Sequence, residues 1–235
     1  MMDDLLDFAW IQRNTGVIAD LTVQHLLWSL IAVAVGLALA LPIGYLVHRT
    51  GRAAGFLLAV AGLLYAIPSI ALFVAMPLVL GSKILDPINV IGALTVYTFA
   101  LLVRSVSDGF ADVDPQVRQA AVAVGYGPVR RVLGVEFPLA LPVIFSGLRV
   151  ATVSTISLVA VGAVIGNGAL GQLFDRGFQS GFATPIIVGI IVILVMALLA
   201  DGLILLIQRL LLPWFGLGPR SGGRGRLRRR VGAAK

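Results

Sequence analysis

Five apolar tracts, at residues 26–47, 53–80, 87–103, 139–166 and 184–207, occupy most of this 235-residue chain. The first runs for 22 residues, about 33 Å as a helix and enough to cross a bilayer. Hydrocarbon cannot satisfy open backbone groups, so tracts of this length must close their hydrogen bonds internally as helices. The fold class this dictates is all-α, a polytopic membrane protein with about five transmembrane helices. Only 12% of residues are charged and mean hydropathy is +1.01. A soluble domain carries roughly twice that charge. The chain has room for one membrane domain, at residues 26–212, and for no second globular one.

Basic residues choose the orientation. Arg49, Arg52, Arg104, Arg118, Arg130 and Arg131 fall on one side of the five tracts, with the tail; Arg13, Lys83 and Arg176 fall on the other. Cationic loops stay in the cytoplasm, so the N-terminal segment, 1–25, is expected outside and the C-terminus inside. The net charge of +7 is explained by this topology, and no nucleic acid partner is expected. Residues 213–235 are Arg-, Gly- and Ser-rich, a composition that cannot bury a core and is expected to be disordered. The acidic start, MMDDLLDFAW, has no basic region of the kind a cleaved signal peptide carries. Cysteine is absent, so no disulfide framework bears on compartment.

Between the third and fourth tracts lies a Gly- and Pro-punctuated polar island, residues 112–138. Asp114 is a natural N-cap with Pro115 at the first helical position. The helix is expected to run to about Val124 and stop at Gly125, in a left-handed C-cap. Gly127-Pro128 restarts the chain as a second short helix, which Pro138 and Pro142 limit or kink. The result is a compact knob presented to the cytoplasm.

The island reads Gln119-Ala120-Ala121, Gly125, then Val135-Glu136-Phe137-Pro138. It resembles the EAA loop of ABC-importer permeases: EAA, three residues, Gly, nine residues, Ile, one residue, Leu-Pro. The spacing is kept throughout, with Gln for the acidic residue, Val for Ile and Phe for Leu. An ordinary amphipathic connector would have no reason to keep that spacing. Outside the island, His25-Leu26, Leu41-Pro42-Ile43-Gly44, Ile67-Pro68-Ser69-Ile70-Ala71-Leu72, Gly168-Ala169-Leu170-Gly171 and Asp201 resemble the permeases of osmoprotectant importers (glycine betaine, carnitine, choline).

That resemblance implies a type I ABC importer transmembrane domain in a bacterial cytoplasmic membrane, multi-pass in the lipid bilayer. Its implied partners are a cytoplasmic ATPase, a second permease subunit (identical or paralogous) and an extracytoplasmic substrate-binding protein. By the same resemblance the coupling residues are Arg118, Gln119, Ala120, Ala121, Gly125, Arg130, Arg131, Val135 and Pro138. Ala120, Ala121, Val124 and Val132 would pack in a groove on the ATPase, with the three arginines at its rim. Another solute, such as an amino acid, is the runner-up within this reading.

Inside the tracts, Tyr65, Pro68, Ser69, Thr152, Thr155 and Asn167 are the candidates to border a translocation pathway. Small and hydroxyl residues in spans serve close helix packing as readily, and in-span aromatics such as Phe73, Tyr97 and Phe99 are more often packing than a cation–π surface. Arg149 is expected to snorkel to the cytoplasmic interface, with Glu136 as the other partner open to it. Asp201 stands about two turns before Arg209, so an interfacial or Arg-paired role is expected over a proton relay. An ion-gradient-driven secondary transporter would want midplane charge and internal repeats; Asp201 is its only candidate and no repeat is evident. A membrane scaffold would explain the basic tail but not the spacing. His25 and His48 lie at opposite ends of the first tract, so no metal site is expected. No Gly-x-x-x-x-Gly-Lys-Ser/Thr occurs, so no nucleotide or other cofactor is expected on this chain. It is not expected to be an enzyme; ATP hydrolysis would belong to a separate polypeptide.

Overall fold

A computed structural model describes residues 6–215, the side chain of Arg52 apart, and every regular element among them is a helix. The basic tail and the first five residues lie outside the described residues. In chain order the helices are α1 (Phe8–Arg13), α2 (Thr15–Arg49), α3 (Ala54–Ala66), α4 (Ser69–Leu80) and α5 (Pro87–Ala111). They continue with α6 (Pro115–Ala123), α7 (Pro128–Arg131), α8 (Phe137–Val159), α9 (Gly171–Ser180) and α10 (Ala183–Leu211). Four helical runs are long and apolar enough to cross a membrane: α2, α5, the run from Pro128 to Ile165, and α10. A fifth is reached by counting α3 and α4 as one broken span.

The first crossing begins earlier than its apolar tract. α2 starts at Thr15 and is 35 residues long, about 52 Å, so much of the polar N-terminal segment is helical. Asp7 caps α1 by accepting from the Trp10 N–H at 2.9 Å. Its own N–H donates to Thr184 Oγ1 at 2.9 Å, tying the chain start to the start of α10. The third span, expected to end at Val103, runs on to Ala111, because Arg104 and Asp108 lie one turn apart on its exposed side and do not interrupt it.

The second tract is two half-helices at 99° to each other. Ile67 and Pro68 between them are extended, with ψ of 131° at both. Proline disfavours helical geometry in the residue before it and supplies no N–H, so the turn breaks at Pro68. The Ile67 carbonyl is taken by the Tyr97 hydroxyl. Pro77 does not break α4, which continues around it. The Gly-rich segment 167–183, between the fourth and fifth apolar tracts, is not a plain loop but holds α9; its glycines fall mainly at the ends, where they start and stop the helix, while Leu173 and Gly177 face inward.

α5 is the hub. It packs against α2, α3, α4 and α8, and its buried side chains run from Asn89 to Phe110. α2 meets it with a stripe of small residues at every fourth position, Ala32, Gly36, Ala40 and Gly44, all buried, the pattern that lets membrane helices approach closely. A Cβ on Gly44 would stand 2.6 Å from Val106 Cβ and 2.8 Å from the Val103 carbonyl. Val47, Leu102, Val106, Phe110, Ala140 and Ile144 fill the core at the end where α2 and α5 finish and α8 begins.

Candidate functional site

The knob forms at that end. Asp114 accepts from the Gln116 N–H at 2.7 Å and Pro115 opens α6. α6 ends in a Schellman motif: Tyr126 N–H reaches the Ala121 carbonyl at 3.0 Å, and Gly125 N–H the Val122 carbonyl at 3.0 Å. Gly125 is left-handed, with φ of +86°, as this motif requires. Gly127 is extended, Pro128 takes the first position of α7, and Arg131 N–H closes onto the Gly127 carbonyl at 2.9 Å. The Arg130 guanidinium lies over the Tyr126 ring, 4.9 Å from its centroid, a cation–π contact across the turn.

The second half of the knob is not a separate short helix. α7 continues through a π-helical turn, Val132–Glu136, directly into α8. Pro138 has no N–H for the carbonyl four residues back and its ring presses on that residue. A wider turn just before it relieves both, and π-turns inserted in helices serve this purpose. Pro142 is absorbed within α8.

Within this frame the coupling candidates separate into two groups. Gln119 and Ala120 are exposed, as are Val122, Val124 (74%), Val129 (72%) and Leu133 (64%). Ala121 is buried against its own subunit, and Val132 packs on the core beneath the knob, so neither presents itself to a partner. Val135 and Pro138 are half-buried. Of the rim arginines, Arg118 donates to the Val113 carbonyl at 2.8 Å, and Arg131 donates through Nε to Glu136 Oε1 at 2.7 Å. Glu136, only 3% exposed, is thus paired across the π-turn and not with Arg149. The exposed apolar set Val122, Val129 and Leu133 escaped sequence reading, because helix phase is lost across the Gly125 turn and again across the π-turn.

An aromatic cluster joins the span ends beside the knob. Phe110 at the end of α5 meets Tyr45 at 4.9 Å, His48 at 6.1 Å and Phe137 at 6.3 Å between ring centroids. The ends of α2 and α5 and the start of α8 are thus packed together at the level of the knob.

The candidate pathway residues do not form one constellation. Tyr65 and Pro68 meet at the break between α3 and α4, where Tyr65 and Tyr97 rings stack edge to face at 5.7 Å and Ser69 starts α4. Thr155 is committed inside the bundle, at 2.8 Å from Thr98 Oγ1 and donating to the Ala151 carbonyl at 2.7 Å. Asn167 donates to the Leu85 carbonyl at 2.9 Å, fastening two loops. Thr152 lines an apolar groove of about 750 Å³ between α2, α8 and α10, and its buried hydroxyl has no partner among the described residues.

Asp201 has the arginine partner expected of it, but that arginine is Arg149, 52 positions away, and not the nearby Arg209. Arg149 and Asp201 bond each other, Nε to Oδ1 at 2.7 Å and Nη2 to Oδ2 at 2.8 Å. The pair lines a second depression, about 580 Å³, with Ser146, Val150, Ser154 and Leu198.

Residues 21–212 match the family model described as binding-protein-dependent transport system inner membrane component. The chain is 40% identical to the osmoprotectant import permease protein OsmW of Salmonella typhimurium, over 85% of this chain and 94% of that one. It is 30% identical to the carnitine transport permease OpuCD of Listeria monocytogenes, over 90% and 93%. Against the glycine betaine/carnitine/choline transport system permease OpuCD of Bacillus subtilis the figure is 31%, over 86% and 87%. Among solved structures it resembles the MetNI methionine ABC transporter in an inward-facing form, with TM-score 0.77 at 21% identity over 85% of this chain and 98% of that one. An amino acid ABC transporter gives TM-score 0.72 at 21% identity, over 87% and 98%; both likenesses are of fold.

Proposed function

The chain belongs to the family of binding-protein-dependent transport system inner membrane components, and from that premise we propose that it forms the pathway of an ATP-driven osmoprotectant importer. Its solute is a quaternary amine of the glycine betaine, carnitine or choline type, the class printed in the names of its relatives. ATP is hydrolysed on a separate cytoplasmic subunit, a second permease completes the pathway, and a secreted binding protein delivers the solute.

The observation that carries the coupling role is the knob itself: a double turn that leaves Val122, Val124, Val129 and Leu133 uncovered among exposed polar residues such as Gln119 and Arg130. An apolar patch on a polar projection marks a protein contact. ATP binding draws the two ATPases together, each carries a knob with it, and the aromatic cluster around Phe110 passes that movement to the spans. Rigid-body motion of this kind switches access from one side of the membrane to the other.

The test is uptake of a labelled quaternary amine into vesicles holding the permease, its ATPase and the binding protein. Uptake should need the binding protein and ATP hydrolysis, and should persist when the proton gradient is collapsed with ATP maintained. Uptake by the permease alone, driven by an imposed ion gradient, would replace this reading with that of a secondary transporter. Under the same reading, reporter fusions after Arg52 and Gly127 should report the cytoplasm and one after Asp86 the outside; a cytoplasmic signal at Asp86 would reverse the topology.

A further inference from the structure

The Arg149–Asp201 pair sits where an ion pair is hard to keep. Asp201 lies ten residues before the end of α10 at Leu211, roughly 15 Å along the axis, within the apolar tract 184–207. Its neighbours on the open face are Val150, Leu194 and Leu198, all exposed. Yet the two charged side chains are 35% and 28% exposed, turned outward from the subunit into the depression between α8 and α10. Charge facing hydrocarbon is expensive, so intramembrane ionisable groups face a partner or a water-filled cavity.

The pair is also chemically incomplete. Arginine offers five N–H donors in a planar fork, and Asp201 takes two of them. The remaining three have no partner among the described residues. Ser154 adds a hydroxyl to the same wall, while Ser146 is turned back onto the Pro142 carbonyl at 3.0 Å. The volume falls within the range of small-molecule sites, about 300–1,000 Å³.

We propose that the depression built on Arg149 and Asp201 is a solute site in the pathway, selective for zwitterions that carry a carboxylate and a quaternary ammonium a few ångströms apart. The carboxylate takes the free edge of the Arg149 guanidinium, where bidentate geometry is available. The ammonium, which has no N–H to donate, is met by the negative charge of Asp201. A lone anion would face Asp201 and a lone cation would face Arg149, so neither gains from both residues; a zwitterion does. This rests on the importer reading and names the solute chemistry of its pathway.

The probes are glycine betaine, which has the carboxylate, and choline, which carries a hydroxyl in its place. Full-length permease purified with its ATPase, without binding protein, should bind glycine betaine saturably and choline at least about tenfold more weakly, the difference one charged hydrogen-bond pair makes. Arg149→Gln should remove that preference, and Arg149→Lys, which keeps the charge but not the fork, should reduce it. Exchanging the residues, Arg149→Asp with Asp201→Arg, restores an ion pair between α8 and α10 but reverses the site, so it should insert normally without recovering glycine betaine uptake in the complete transporter. Absence of binding to the unmodified complex, equal binding of the two probes, or full uptake by the exchanged pair would overturn the proposal and leave a structural latch. Uptake by the unmodified transporter that ignores ATP would strike the importer reading instead.

Discussion

Arg149 on α8 and Asp201 on α10, 52 positions apart, hold each other in a two-point contact at 2.7 and 2.8 Å. Each is the other's only charged partner among the described residues. Whatever the pair does for a solute, it also ties the last span to the one that carries the knob. Removing either partner should therefore lower thermal stability of the detergent-solubilised subunit. The double variant Arg149→Gln with Asp201→Asn should lose no more than the worse single one, because groups acting as a pair are not additive. Additive losses would show that the two residues act independently.

Gly125 fixes the aim of the knob. At φ of +86° a β-branched residue is strained by about 1–2 kcal/mol, although the space around it is open. Gly125→Val should insert in the membrane at near-normal levels and lose stimulation of the partner ATPase by loaded binding protein. Gly125→Asn, which tolerates the left-handed region better, should retain most of it. Normal stimulation in the valine variant would show that the turn is not held as described.

Gly44 is limited by space and not by backbone angle. Its missing side chain is filled by Val106 and the Val103 carbonyl of α5. Gly44→Val should push α2 away from α5 and cost about 1–3 kcal/mol, as overpacking does, seen as a lower melting temperature. The same change at Gly62, which has nothing near it, should leave the melting temperature within error. Equal effects at both sites would mean that α2 does not pack on α5 through this stripe.

The spans and the first half of the knob were legible because their causes are local. Apolar length sets a span, Asp114-Pro115 starts a helix, and Gly125 stops one. Ion pairing was not legible: Arg149 could be matched only to neighbours in sequence, Glu136 among them, whereas folding brings it to Asp201 and gives Glu136 to Arg131. The 99° break at Pro68 and the run-through at Pro77 look alike as apolar sequence with proline. They differ through Tyr97 on α5, whose hydroxyl donates to the Ile67 carbonyl left open at the first. The helical nature of residues 171–180 was hidden by glycines that cap the helix and so read as a loop.

The exposed apolar face of the knob makes the last prediction. Val124, Val129 and Leu133 are each more than half exposed, while Val132, one residue before Leu133, packs on the subunit's own core. A surface site changed to aspartate should cost the isolated subunit little, since substitutions away from packing fall within about 0.5 kcal/mol. A buried carboxylate in an ATPase groove is far more costly, because it loses water without gaining a partner. Val124→Asp and Val129→Asp should therefore give stable, inserted permease that no longer co-purifies with the ATPase and supports no ATP-driven uptake. Val132→Asp should instead lower the yield of the permease itself. The contrast between exposed and packed positions of the knob separates docking from folding: co-purification that survives at Val124 and Val129 would move the ATPase contact elsewhere on the knob, to the Gln119-Ala120 side that is also exposed.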